Sequence, residues 1–214
     1  MASEPFDQTD YWVKRHLEFR GDPRSVGNAG KSVEENRSGE AKVIKAASIV
    51  ADLIPRRSKV LDIGCGYGRI ASCFCDESHE YYGIDIAPAA IEQAREREPR
   101  GNFVVGSAAD QVSESGGFDL VCLLYVAVHF VDPISIQNLM KFASDSVSKN
   151  GTLVIGDEFA PGNTASPSHV RQRPIEFFED GFSLLGLLPN RDLRKAFVDR
   201  WNGPGSIPPW YFFG

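Results

Sequence analysis

The chain has 214 residues, of which 42% are hydrophobic and 24% are charged. This size and composition suit a single globular domain with a substantial core, which needs no metal or disulfide to fold. The formal net charge of −6 gives no electrostatic footprint for nucleic acid or for an anionic membrane. The apolar run at 121–131 is too short to cross a bilayer, and the polar segment 1–5 lacks the regions of a signal peptide. We therefore expect a cytoplasmic protein without either partner.

The four cysteines are expected to be free thiols. Cys73 and Cys75 lie two residues apart on a predicted helix, where they do not face each other. The sequence contains neither a CxxC pair nor a Cys/His ligand set. The pattern indicates a reducing compartment and predicts no metal site.

The first 57 residues predict an N-terminal helical layer. Its elements are a helix over about 9–19, a glycine-containing loop over 20–30 and a helix over about 32–54. Apolar residues recur at helical spacing in the second helix and would pack it on a sheet. These residues are Val43, Ile44, Ala47, Val50 and Ile54.

Residues 58–214 predict the core of the domain. Short apolar runs alternate there with helix-like stretches, a pattern typical of βαβ units around a parallel sheet. Residues 161–174 are rich in turn formers and predict a loop or an insertion. In chain order the predicted elements are strand 59–63, helix 67–76, strand 81–85, helix 88–98, strand 102–105, strand 118–124, helix 133–148, strand 152–155, strand 182–188 and a short edge strand within 207–213.

A glycine-rich turn, Gly64-Cys65-Gly66-Tyr67-Gly68, joins the first predicted strand to the next element. Such a turn lets the backbone pass close to a ligand and presents unpaired N–H groups. A phosphate-binding P-loop is disfavoured, since no Gly-Lys-Ser/Thr follows Gly68. The dinucleotide fingerprint GxGxxG is disfavoured by Arg69 at its third glycine position. By itself the turn does not specify its ligand.

Two carboxylates near this turn narrow the choice of ligand. Asp62 precedes the first glycine, where its charge would repel a pyrophosphate but attract the ammonium and sulfonium of S-adenosylmethionine. Asp85 closes the second strand, from which a carboxylate accepts hydrogen bonds from ribose hydroxyls. The alternative is that both only cap helices. Together they predict S-adenosylmethionine rather than NAD as cofactor.

Five segments in this order resemble the motifs of the class I S-adenosylmethionine-dependent methyltransferases. The resemblance covers roughly 59–159 and lies in segments 60–69, 82–87, 103–110, 118–133 and 151–159. It implies a Rossmann-like three-layer α/β sandwich. The seven-stranded sheet of that fold is mostly parallel, with the last strand antiparallel.

The same resemblance implies roles for individual residues. Gly64, Cys65 and Gly66 would approach the methionine portion, and Leu124 its amino-acid end through its backbone. At the nucleoside, it implies that Asp85 contacts the ribose and Ile86 an adenine face. Members of the family often carry an acid directly after the glycine of the adenine segment, where this chain has a serine. The adenine contacts are therefore assigned to Ser107 and Ala108, with Asp110 as the alternative.

The expected chemistry is an in-line methyl transfer, for which the protein supplies alignment and a dry pocket and needs no metal. A hydroxyl acceptor benefits from a general base. His129 follows the fourth strand at the ligand-binding edge of the sheet and is the first candidate. Tyr125 is the second, and Asp157 and Glu158 compete for the role. The alternative for His129 is packing.

The N-terminal layer is the expected source of acceptor contacts. Tyr11, Trp12 and Arg24 beside a glycine-containing loop suit a lid over an aromatic, sugar-like or carboxylate-bearing acceptor, and His16 lies in the same layer. The alternative is that Tyr11 and Trp12 form one face of a packed helix.

The segment after the fourth strand narrows the class of acceptor. Residues 123–126 are Leu-Leu-Tyr-Val. DNA amino-methyltransferases commonly have Asn/Asp-Pro-Pro-Tyr/Phe at this place. We expect a small-molecule acceptor that is methylated on oxygen. A protein or nitrogen-directed methyltransferase, a non-catalytic S-adenosylmethionine-binding subunit and a Rossmann oxidoreductase stay open as alternatives.

Overall fold

The structure, a computed structural model, describes residues 7–76, 78–107, 117–160 and 169–214. The helices are α1 (Gln8–Glu18), α2 (Val33–Leu53), α3 (Pro88–Arg97), α4 (Pro133–Ser146), α5 (Ile175–Leu184) and α6 (Arg191–Arg200). The strands are β1 (Ser58–Ile63), β2 (His79–Asp85), β3 (Asn102–Val105), β4 (Phe118–Leu124), β5 (Val147–Gly156) and β6 (Trp210–Phe213).

The strands form one sheet in the order β3-β2-β1-β4-β5-β6. All neighbouring pairs are parallel except β5 and β6, which are antiparallel. The chain order reverses between β1 and β4, and in open α/β sheets ligands bind beyond the carboxyl ends of the strands at such a point. The Rossmann-like α/β fold is thus confirmed, although the described residues form six strands rather than the expected seven.

Helices cover both faces of the sheet. Side chains along β4 alternate between two cores: Leu120 and Cys122 pack on the side of α2 and α6, and Val121 and Leu123 on the side of α4 and α5. A parallel strand that is buried on both faces appears in the sequence as a continuous apolar run. This explains why the bounds of β4 were predictable.

The two N-terminal helices begin at side-chain caps. Ser32 and Glu35 form a capping box at the start of α2: the serine hydroxyl accepts a hydrogen bond from the Glu35 N–H at 3.2 Å, and the Glu35 carboxylate accepts from the Ser32 N–H at 2.8 Å. The Asp7 carboxylate accepts from the Asp10 N–H at 3.0 Å and starts α1. Val50 in the last turns of α2 is buried in the core, as its spacing predicted.

The strand predicted over 182–188 is wrong, because that segment contains the end of α5 and a turn. Phe178 and Phe182 are four residues apart, so one helix face buries both rings against the sheet. After the turn, the chain forms an isolated antiparallel bridge between Pro189 and Phe213, on the edge of β6 that does not pair with β5. Proline has no N–H to donate to a strand ladder. Helix α6 was not predicted.

The helix predicted over 67–76 is also wrong. Gly68 has φ of 72°, outside the helical region, and only a 3₁₀ turn at Ala71–Cys73 follows. Residues 67–76 therefore form turns instead of a continuous α-helix.

Three features of the described ranges concern membrane spans, metal ligands and disulfides. No helix there is both long and apolar enough to span a membrane. The described side chains contain no group of three His, Cys, Asp or Glu residues arranged to hold a metal. All four cysteines are unpaired.

Candidate active site

A cavity of about 310 Å³ opens at the carboxyl ends of β1, β2 and β4, with α1 across it. Its walls come from the glycine turn, the strand ends, the loop after β4 and α1. The sequence-predicted residues that line it are Trp12, Gly64, Cys65, Gly66, Asp85, Ile86, Ser107, Leu124, Tyr125 and His129. The parallel register brings these separate motifs together, because all parallel strands end at the same edge of the sheet.

The glycine turn is packed too closely for side chains at two positions. A Cβ on Gly64 would lie 2.5 Å from Cγ2 of Val126, and a Cβ on Gly66 would lie 2.5 Å from Cγ1 of Val26. Both glycines have positive φ, 71° and 54°, which other residues rarely adopt. The Gly64 N–H donates to the Ile84 carbonyl at 2.8 Å, which ties the turn to β2. The turn therefore presents bare backbone to the cavity.

Asp85 anchors the other side of the turn. Its Oδ2 accepts a hydrogen bond from the Gly66 N–H at 2.9 Å, and its Oδ1 accepts from the Ala87 N–H at 2.9 Å. Burial raises the pKa of Asp85, while the Ala87 hydrogen bond and nearby His16 oppose that rise. Each carboxylate oxygen retains acceptor capacity, since one oxygen offers two lone-pair sites. The group can therefore also bind hydroxyls in the cavity.

His129 lies in a 3₁₀ turn, Ala127–His129, directly after β4. The Trp12 ring meets the imidazole edge-on, with 4.7 Å between ring centroids. The His129 Nδ1 lies 3.5 Å from the His169 carbonyl oxygen, and if it carries the proton the lone pair is on Nε2. Burial lowers the pKa of His129 to about 4. The imidazole is therefore neutral at pH 7.

Two buried ionisable residues hold this turn. The Asp157 Oδ2 accepts from the Val128 N–H at 2.8 Å, and Arg173 donates to the Phe130 carbonyl at 2.6 Å. Burial raises the pKa of Asp157 to about 7. Since Asp157 already accepts two backbone hydrogen bonds, from Val128 and Glu158, it positions the His129 turn instead of lining the cavity.

Tyr125 has a strained backbone at the cavity wall. Its φ is 60°, in the left-handed region, and its N–H donates to the Gly156 carbonyl at 2.6 Å. Strain of this kind is found most often at functional sites. Burial raises the pKa of the Tyr125 phenol, which is therefore protonated at neutral pH and suited to donating a hydrogen bond.

Helix α1 contributes Trp12 to the cavity, but two predicted acceptor contacts are not there. Tyr11 lies outside the lining formed by the described residues: its ring stacks on His169 at 5.1 Å, and its hydroxyl accepts from Arg15. Arg24 also lies outside, paired with the Asp22 carboxylate at 2.7 Å. A pattern of aromatic residues along one helix cannot tell which of them faces a ligand.

Comparisons with known proteins agree on methyltransferases. Residues 60–151 match the family model of a methyltransferase domain. Over 124 residues the chain is 32% identical to an 18S rRNA (guanine-N(7))-methyltransferase of Bos taurus, covering 55% of this chain and 44% of that protein. Over 98 residues it is 30% identical to a ubiquinone biosynthesis O-methyltransferase of Xanthomonas axonopodis pv. citri, covering 44% and 41%. The chain thus spans less than half the length of either curated relative.

A solved structure shares the fold over almost the whole chain. It is a magnesium protoporphyrin IX methyltransferase of Synechocystis with bound S-adenosylmethionine, with a TM-score of 0.68, 16% identity and coverage of 99% of this chain and 98% of that one. Residues 60–151 thus match a methyltransferase domain, and together these similarities support a class I S-adenosylmethionine-dependent methyltransferase. The methyl donor of this class is S-adenosylmethionine.

The cavity of this methyltransferase fits that donor. Gly64 and Gly66 line it with backbone, and Asp85 offers acceptors to hydroxyls. Ile86 and Ser107 also line the cavity, next to Asp85. Ala108 and Asp110 lie outside the described residues.

Asp62 does not line the cavity. The sequence predicted that its carboxylate lies near the ammonium and sulfonium of the methyl donor. The Asp62 side chain is instead buried beneath the glycine turn, where Oδ2 accepts from the Tyr81 hydroxyl at 2.6 Å. Burial raises the pKa of Asp62 to about 7, against the effects of Tyr81 and Arg69. Asp62 therefore joins β1 to β2 through the Tyr81 hydroxyl.

Arg69 is the functional candidate that the sequence reasoning missed. It counted only as a mismatch to a dinucleotide motif, yet it lines the cavity with its guanidinium 5.4 Å from the centre of the Tyr125 ring. Among the described residues no carboxylate forms an ion pair with it. A cation directly after a turn expected to hold an amino acid was the signal available in the sequence.

Proposed function

We propose that the chain transfers the methyl group of S-adenosylmethionine to a small-molecule acceptor, most favourably a hydroxyl oxygen. The observation that carries this proposal is one continuous cavity that extends from the glycine turn to His129 beneath Trp12. One end of it has backbone and charged groups suited to the donor. The other end has an aromatic wall and a neutral imidazole.

The donor end is assigned to residues with complementary chemistry. Asp85 accepts from the ribose hydroxyls, and Arg69 pairs with the methionine carboxylate through a charge-assisted hydrogen bond. Gly64, Cys65, Gly66 and the backbone of Leu124 border the methionine portion. Ile86 packs on the adenine, and Ser107 lies at its edge.

The acceptor end uses His129 as the base. When bound, S-adenosylmethionine supplies a methyl group that is already activated by the sulfonium. The neutral imidazole of His129 takes the proton from the acceptor hydroxyl, and the clamp formed by Asp157 and Arg173 keeps the ring in place. Tyr125 donates a hydrogen bond that orients the acceptor.

Residues 1–57 are proposed to act as a lid on the core formed by 58–214. Trp12 covers the His129 side, and Arg15 fastens α1 to the following loop by donating to the carbonyls of Arg24 and Gly27. Such a cover excludes water from the reacting groups.

A nitrogen acceptor is the second candidate, and one observation favours it. The pKa of His129, lowered by burial to about 4, makes the imidazole a weak base. A neutral amine or ring nitrogen attacks the methyl group with its own lone pair, so no base has to remove a proton before the transfer. A relative named for guanine N7 of 18S rRNA belongs to that type, but the net charge of −6 argues against RNA as the acceptor here.

Binding and turnover experiments separate these proposals. Calorimetry with S-adenosylmethionine, S-adenosylhomocysteine and NAD is expected to give binding of the first two only. Labelled S-adenosylmethionine is then screened against phenols, sugars, carboxylates, amines and an 18S rRNA fragment. Binding of NAD alone overturns the proposal. Binding without turnover on any class indicates a non-catalytic subunit.

A further inference from the structure

His16 of α1 has a buried ring nitrogen that its role in packing does not explain. The side chain is 2% exposed and lines the cavity, and its Nδ1 is buried without a hydrogen-bond partner among the described residues. Buried ring nitrogens are almost always paired, so an unpaired one calls for an explanation. If this position served only packing, a phenylalanine would fill it without leaving a polar atom unpaired.

His16 lies beside the glycine turn and near Asp85, at the end of the cavity that we assign to the nucleoside. A Cβ added to Gly66 would lie 3.8 Å from the His16 Cε1, which places the ring against the glycine turn. Burial lowers the pKa of His16, Asp85 raises it and Arg15 lowers it further, so the ring is close enough to Asp85 to sense its charge. Both Asp85 oxygens nevertheless bind backbone N–H groups, and no hydrogen bond joins the two side chains.

Contacts made by neighbouring residues keep His16 in place. Arg15 donates to the Arg24 carbonyl at 2.7 Å, and the Gly21 N–H donates to the Gln93 side chain of α3 at 2.9 Å. These contacts fasten α1 and its loop to the core without using the imidazole. The imidazole is therefore available to a ligand while the helix stays anchored.

We propose that the imidazole of His16 forms a hydrogen bond with a ribose hydroxyl of the cofactor, so that the ribose is held between Asp85 of the core and His16 of α1. This inference rests on the proposed function, because it requires the nucleoside end of the cofactor to lie over Asp85. Cofactor binding would then hold α1 closed, since a single group contacts both the core and the lid.

The test measures affinity instead of turnover. Calorimetry gives the Kd of S-adenosylhomocysteine and of its 2′-deoxy and 3′-deoxy ribose analogues for the wild-type chain, His16→Phe, His16→Gln and Leu17→Ala. Leu17 is on the same helix and 61% exposed, which makes it a matched control. Thermal unfolding of each variant checks that it folds.

His16→Phe is expected to weaken S-adenosylhomocysteine about tenfold and to lose the discrimination against one deoxy analogue. His16→Gln, which keeps a hydrogen-bonding group, is expected to restore part of both, and Leu17→Ala to behave as wild type. An equal loss for all three ligands would mean that His16 only packs the lid, and unchanged affinities would also overturn the inference. If the wild-type chain binds none of the three, the proposed function itself fails.

Discussion

Replacing Gly66 by alanine tests the close packing between the glycine turn and the lid. The new Cβ would lie 2.5 Å from Cγ1 of Val26, about 1 Å inside ordinary van der Waals contact. The backbone φ of 54° adds about 1–2 kcal/mol for a residue with a side chain. Overpacking against Val26 adds about 1–3 kcal/mol more.

Val26→Ala provides the matched second change, because it removes the atom that the new Cβ would meet. Gly66→Ala is expected to lower the free energy of unfolding by about 2–5 kcal/mol and to weaken S-adenosylhomocysteine at least tenfold. In the double variant, Val26→Ala is expected to restore the free energy of unfolding that was lost to overpacking. The loss caused by the backbone φ at position 66 is expected to remain.

Urea unfolding and calorimetry of the two single variants and the double variant measure these differences. The reasoning is refuted if Gly66→Ala binds and unfolds like the wild type. It is also refuted if the double variant shows no coupling beyond the sum of its singles.

The other predictions concern the base, the donor carboxylate, a buried acid and the lid. His129→Asn is expected to lower kcat roughly a hundredfold for a hydroxyl acceptor with the Kd of S-adenosylhomocysteine unchanged; retained turnover would remove His129 from the mechanism and favour a nitrogen acceptor. Arg69→Met is expected to weaken S-adenosylhomocysteine by about tenfold or more in calorimetry, but not an analogue without the carboxylate. Equal losses for both ligands would contradict that pairing. Burial raises the folded-state pKa of Asp62 to about 7, so as pH rises from about 4 to about 7 the unfolded chain loses this proton first and stability falls. Asp62→Asn, which can still accept from the Tyr81 hydroxyl, is expected to flatten that fall in urea unfolding, and an unchanged slope would disprove it. Removal of residues 1–30 is expected to abolish turnover and loosen cofactor binding, whereas a fully active truncation would refute the lid.

The arrangement of the core was predictable because its signals are local. The bounds of β3 and β4 follow from apolar runs, and Pro88 marks the start of α3. The glycine turn and Asp85 could be read for the same reason, since a tight turn needs glycine and a strand end carries the ligand-facing acid. The sequence could not decide between helix and strand where one apolar pattern fits both. Phe178 and Phe182, for example, fit a buried strand as well as the buried face of α5.

Which side chains meet the cavity depended on contacts between distant parts of the chain. Tyr11, Trp12 and His16 lie on one helix, yet only the docking of α1 on the glycine turn decides that Trp12 and His16 face inward. The Arg24 guanidinium forms an ion pair with the Asp22 carboxylate. The Asp62 carboxylate is hydrogen-bonded to the Tyr81 hydroxyl, and burial raises its pKa.

The sequence by itself determined the fold class and the nature of the donor, because both rest on short motifs whose backbone geometry is local. The tertiary structure alone decided the cavity wall, the clamp on His129 and the unpaired nitrogen of His16. Each of these depends on which surfaces bury one another, and burial is what sets hydrogen-bond partners and pKa values in this protein.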